Sequence, residues 1–233
     1  MKTQEVTISA FNGDHFSAYL AMPDSGSGPG LIVIQEIFGV NEVMRQTADS
    51  YAEAGFMAIV PDLFWGQEAG IQLSGKDQEE WNKAFKLYQG FNEDSGIDDL
   101  IATFDFLKQH PGCTGKVGSV GFCLGGKLAY LMAARSQTDC NVGYYGVGIE
   151  KNLPEAVNIH QPVMLHIAEN DQFVPPEAWS SVQAELSQHS WVTVHTYPGV
   201  KHGFAHIGGS DYSLAAAEQA NKRTMAFFAQ YLG

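Results

Sequence analysis

The sequence predicts one α/β domain, residues 1–233, built on a mostly parallel sheet of about eight strands. Three observations carry this. Short apolar runs alternate with helical periodicities along most of the chain. With 233 residues, 45% of them hydrophobic, the chain can bury one substantial core. Three segments rich in reactive side chains each follow the end of an apolar run, and ligands of open parallel sheets gather at that edge.

The opening elements are strands at 5–9 and 16–22, joined by a turn at Asn12-Gly13 and expected as an antiparallel edge. Residues 23–30, rich in glycine and proline, read as a surface loop too near the N-terminus to divide domains. Parallel strands are expected at 31–34, 56–60, 117–120, 142–145, 162–167 and 191–197. Helices are expected at 42–54, 77–91, 95–110, 124–135, 177–188 and 212–231. No repeat, charge block or low-complexity segment interrupts this order.

Composition narrows the function classes. A net charge of −13 disfavours nucleic acid and anionic membrane surfaces as partners. The N-terminal residues show no apolar signal-peptide core, and no apolar run approaches the length of a membrane span. Cys113, Cys123 and Cys140 cannot all pair, and they suggest no disulfide framework. A reducing, cytoplasmic setting is expected.

The most informative segment is Gly121-Phe122-Cys123-Leu124-Gly125, between an apolar strand and a helical pattern. It has the form of a nucleophile elbow with cysteine where serine is usual, and its glycines suit a strained strand-to-helix bend. A helix N-terminus favours a thiolate, and the N–H of Leu124 faces an oxyanion. The same residues admit two other readings. Gly121 to Lys127 nearly spells a phosphate loop, but Leu128 replaces the Ser or Thr that ligates magnesium. A buried structural cysteine in a glycine-rich turn is the other.

A thiol nucleophile needs a base and a group to orient it, and in α/β-hydrolases these follow in the order acid, then histidine. Asp171 lies in the loop after the 162–167 strand, and His202 in the loop after the 191–197 strand. Taken alone, Asp171 also reads as a turn former or helix cap. His202 competes with His15, His110, His160, His166, His189, His195 and His206. Spacing of four between His202 and His206 would suit a metal pair on a helix, but Gly203 and Gly208-Gly209 argue against a helix there, and no metal or other cofactor is expected.

The chain resembles the dienelactone hydrolases over nearly its whole length. The likeness rests on Gln35-Glu36-Ile37-Phe38-Gly39-Val40-Asn41, Pro61-Asp62-Leu63, Gly121-Phe122-Cys123-Leu124-Gly125-Gly126, Tyr144-Tyr145-Gly146 and His202-Gly203-Phe204. It implies an α/β-hydrolase fold and hydrolysis of a small ester or lactone by a Cys123-His202-Asp171 triad without a cofactor. It also implies that Glu36 accepts a hydrogen bond from the neutral thiol until substrate displaces it, and that Ile37 supplies the second oxyanion amide. A carboxylate beside Cys123 would oppose the thiolate by like-charge repulsion.

Departures from the family pattern bear on substrate. The positions that carry carboxylate-binding arginines in dienelactone-cleaving members are Trp81 and His206 here, and neither offers a guanidinium fork. Phe85 and Gly203 further reduce polar contacts. With Phe38, Trp81, Tyr88, Tyr145 and Phe173 expected around the cleft, the pattern favours a less charged, more apolar or aromatic ester or lactone. A monomer is expected, as in many members. A thioesterase or acyltransferase would use the same triad, and a ligand-binding or redox-sensing protein would show no turnover.

Overall fold

The computed structural model describes residues 1–233. Eight strands form one sheet: β1 (Lys2–Ser9), β2 (His15–Met22), β3 (Gly28–Ile34), β4 (Met57–Pro61), β5 (Cys113–Phe122), β6 (Asn141–Tyr144), β7 (Val163–Ala168) and β8 (Val192–Tyr197). Their spatial order is β1-β2-β4-β3-β5-β6-β7-β8. The β1–β2 pair is antiparallel, as the sequence predicts for the opening strands; β2–β4 is antiparallel as well, whereas β3–β4, β5–β6, β6–β7 and β7–β8 are parallel. The helices are α1 (Glu42–Glu53), α2 (Gln78–Gln89), α3 (Glu93–Gln109), α4 (Leu124–Arg135), α5 (Pro176–Leu186) and α6 (Leu214–Tyr231). No helix is long and apolar enough to cross a membrane. The contacts divide the chain into two compact units, Met1–Gly118 and Ser119–Gly233.

In the first unit, Leu31, Ile32, Val33 and Ile34 are fully buried, as a continuous apolar run in a parallel strand requires. Burial of each such side chain contributes about 1.5–3 kcal/mol. Helices α1, α2 and α3 begin at side-chain caps: Asn41 accepts from the Met44 N–H, Asp77 from Glu80 and Asn92 from Ser95. Each cap contributes about 1 kcal/mol. The sequence expectation placed the α3 start two residues late because the cap lies at Asn92, ahead of the apolar periodicity. Strand β3 starts inside the expected 23–30 loop. A Cβ at Gly28 would lie 2.0 Å from the Gly55 carbonyl oxygen, so glycine there reflects close backbone approach, not a turn.

In the second unit, α4 is buried almost all round from Leu124 to Ala133. Its first turn presses on β6, where a Cβ at Gly126 would come within 2.4 Å of the Tyr144 carbonyl oxygen. A 3₁₀ segment, Ile149–Asn158, was not foreseen, since Pro154 lies inside it and breaks the helical pattern. Arg135 at the end of α4 clamps Glu155 in this segment with two bonds of 2.6 and 2.7 Å. Helix α6 is tied down by polar contacts at its buried face. Thr224 Oγ1 lies 2.9 Å from His166 Nε2 and 2.6 Å from the Tyr144 hydroxyl, which donates to Asn221 Oδ1 at 2.9 Å.

Candidate active site

Cys123 stands where β5 turns into α4. Its backbone has φ 56° and ψ −114°, an unfavourable conformation for a residue with a Cβ. The Cys123 N–H donates to the Tyr144 carbonyl at 3.1 Å, and its own carbonyl accepts from Gly126 at 3.0 Å and Lys127 at 3.3 Å. A Cβ at Gly121 would sit 1.9 Å from the Gly125 carbonyl oxygen, so the elbow leaves no room for a side chain there. Cys123 is half-buried, unlike the fully enclosed Cys140, and none of the three cysteines is in a disulfide. The first N–H groups of α4, Leu124 included, have no acceptor within the helix.

His202 and Asp171 lie in loops that neighbouring strands hold together. The Glu169 N–H donates to the Tyr197 carbonyl at 3.2 Å and the Asn170 N–H to the Val200 carbonyl at 2.9 Å. The Glu169 carboxylate accepts from the Gly199 N–H at 2.9 Å. His202 Nδ1 then lies 2.7 Å from Asp171 Oδ2, while Asp171 Oδ1 accepts from the Phe173 N–H at 2.8 Å. Burial alone would make His202 less basic. The negative charge of Cys123, together with hydrogen bonds to Asp171 and Cys123, outweighs it and raises the imidazole from 6.5 to about 10. With Nδ1 engaged by Asp171, the bond to Cys123 falls to Nε2, and the three side chains form a continuous chain of contacts.

Aromatic rings set the imidazole's position. Tyr145 and Phe173 each present an edge-on contact to His202 with centroids 4.9 Å apart. Tyr145 lies just past β6, not within it as the sequence suggested, and its φ of 38° is the second positive value at a non-glycine residue. Phe204, two residues beyond His202, is buried against Tyr197 and Tyr145. Gly203 has φ 73°, and the His206 N–H donates back to its carbonyl at 2.8 Å, closing a turn. His202 and His206 therefore do not share a helix, and no group of three or more His, Cys, Asp or Glu residues has the arrangement of a metal site.

The remaining expected residues lie in the first unit. Glu36 follows β3 and is buried, only 4% exposed. Gln35 beside it donates to the Glu36 carbonyl at 3.2 Å and accepts from the Leu63 N–H at 3.1 Å, pinning the segment that carries Glu36 and Ile37. Phe38 accepts through its carbonyl from the Leu73 N–H at 2.9 Å. Its ring packs edge-on against Trp81 at 4.9 Å, and Trp81 lies 5.5 Å from Phe85. The Trp81 indole donates to the Gly75 carbonyl at 2.8 Å. Tyr88, one turn of α2 further on, is half-buried.

The sequence reading missed the support beneath the histidine loop. His166 Nδ1 lies 2.8 Å from the Tyr197 hydroxyl, which also accepts from Arg223 at 3.0 Å. A histidine inside an otherwise apolar strand, Val163–Ala168, was the one available signal.

The dienelactone hydrolase family model matches residues 16–232. A relative from Azospirillum brasilense is 47% identical over 240 residues, spanning 98% of this chain and 99% of its own. The chain belongs to the dienelactone hydrolase family. The carboxymethylenebutenolidase of Pseudomonas putida is 37% identical over 229 residues, spanning 98% of this chain and 97% of its own. A solved Klebsiella pneumoniae structure superposes with a TM-score of 0.87 at 27% identity and covers 99% of both chains. The family match encloses every site residue named above, from Glu36 to His206. Membership in the dienelactone hydrolase family makes the protein a hydrolase of the α/β-hydrolase fold, as its sequence implied.

Proposed function

We propose that this chain, acting as one domain, hydrolyses a small carboxylic ester or lactone through a thioester on Cys123. The observation that carries the reading is His202, held at 2.7 Å by the buried Asp171 and hydrogen-bonded to Cys123. The Cys123 thiolate attacks the carbonyl carbon, forming a C–S bond and an oxyanion that accepts from the Leu124 and Ile37 amides. The C–O bond then breaks, and the imidazolium of His202 gives its proton to the departing oxygen. Water attacks the thioester next, with His202 taking its proton. The C–S bond breaks, the carboxylic acid leaves, and the thiolate is restored. Asp171 fixes the tautomer and stabilises the imidazolium. In the resting enzyme Glu36 accepts a hydrogen bond from the neutral thiol; when substrate displaces it, the thiol proton passes to His202, giving the thiolate–imidazolium pair that attacks.

Substrate preference follows from Trp81 and His206. Without a guanidinium at either position a substrate carboxylate gains no bidentate partner, and the Phe38–Trp81–Phe85 cluster offers apolar surface instead. A neutral, apolar or aromatic ester or lactone fits this reading better than dienelactone. It is tested by turnover of p-nitrophenyl acetate, an uncharged lactone and dienelactone by the parent and by Cys123→Ala. The expected result is Cys123-dependent hydrolysis of the two neutral substrates and poor turnover of dienelactone. Equal turnover by the variant would overturn the assignment of the nucleophile, and efficient dienelactone turnover would overturn the substrate preference.

A further inference from the structure

Within the second unit, Tyr145, Ile149, Glu150, His166, Asp171 and Trp179 help line a small cavity behind the acid of the triad. Measured at the radius of a water molecule it holds about 20 Å³, room for one water. Two polar atoms of its lining residues, Glu150 Oε2 and Trp179 Nε1, are buried and have no hydrogen-bonding partner in the protein. Each such orphan is destabilising unless something pairs with it. They are chemically opposite: an indole N–H only donates and an ionised carboxylate only accepts. They do not bond each other, so one molecule that both accepts and donates would satisfy the pair.

We propose that a structural water occupies this cavity, accepting from Trp179 Nε1 and donating to Glu150 Oε2, and that through it Glu150 acts as a positioning residue for Asp171. The catalytic meaning of this link rests on the triad proposed above. The water's second hydrogen is directed to Asp171. Its carboxylate already accepts from Phe173 and binds His202, but each oxygen keeps a second lone pair. The other titratable groups in the lining are Tyr145 and His166. His166 is not a competing partner, since both its ring nitrogens are engaged by Tyr197 and Thr224. A second carboxylate coupled to Asp171 strengthens the negative field on the imidazolium.

Two measurements test this, and neither depends on turnover. A crystal structure of the parent protein should show a water within hydrogen-bonding distance of both Glu150 Oε2 and Trp179 Nε1, and Trp179→Phe should lose it. In a nitrogen-15 NMR titration, Glu150→Gln should move the His202 midpoint down by about half a pH unit or more at unchanged melting temperature. A role confined to packing would leave that midpoint in place. A dry cavity in the parent, or superimposable His202 titrations, would overturn the proposal. If Glu150→Gln fails to fold, the His202 titration of Trp179→Phe, which loses the water and keeps the carboxylate, takes its place, and an unmoved midpoint there would overturn the proposal. Because both readouts survive an inactive protein, their failure is distinguishable from failure of the hydrolase reading.

Discussion

Asp171 holds His202 through a 2.7 Å contact while only 1% of the acid's side chain is exposed, against 10% for the imidazole. The carboxylate therefore acts on the ring from the protein side, with little solvent to screen it. Asp171→Asn keeps the size and the acceptor for the Phe173 N–H but presents the wrong group to Nδ1. It is expected to lower kcat about 10³- to 10⁴-fold while leaving the circular dichroism spectrum unchanged.

The basicity of His202 depends on Cys123. Burial works against the imidazolium, and the charge of the sulfur is the largest influence favouring it. In Cys123→Ala that influence is gone, so the His202 midpoint, about 10 in the parent, should fall by about one unit or more in an NMR titration. An unmoved midpoint would show that sulfur and imidazole are not paired.

His166 sets an acid limit on stability. Burial, followed by the charges of His195 and Arg223, pushes it well below its ordinary 6.5. The unfolded chain therefore binds a proton that the folded chain refuses. The stabilisation is full above 6.5 and is lost as pH falls through that value toward the folded one, at about 1.4 kcal/mol per unit from this group. Urea denaturation of the parent at pH 5 and pH 7, compared with His166→Gln, should show a shallower acid loss in the variant.

The elbow tolerates no side chain at position 121. The obstacle to a Cβ is the backbone oxygen of Gly125, which cannot rotate away. Gly121→Ala should lower unfolding free energy by about 3 kcal/mol or more, or prevent folding, as read by equilibrium denaturation.

Glu36 is predicted to restrain the thiol. Replacement by Gln removes a buried negative charge, so the ultraviolet absorbance of the Cys123 thiolate should appear at lower pH than in the parent. Coincident absorbance curves would remove Glu36 from that role.

Much of this was written locally in the chain. The elbow was legible because glycine at 121 and 125 and the strand-to-helix switch are neighbours in sequence, and the Asn12-Gly13 turn for the same reason. Strand-end placement of Asp171 and His202 followed from alternating periodicities. The His166 network was not legible, since its partners Tyr197 and Thr224 lie 31 and 58 residues away and look ordinary where they stand. Nor was the positive φ of Tyr145, which no local residue preference announces. The start of β3 was hidden because glycine marks turns and close backbone contacts alike.

The backbone angles at Cys123 also bear on how this sequence responds to selection. At φ 56° and ψ −114°, glycine would be more comfortable than cysteine. A library sorted for heat tolerance alone will therefore enrich Cys123→Gly and discard the sulfur. With Cys123 as the proposed nucleophile, any effort to harden this protein has to score turnover alongside survival, because on that assignment the two pull in opposite directions at this position.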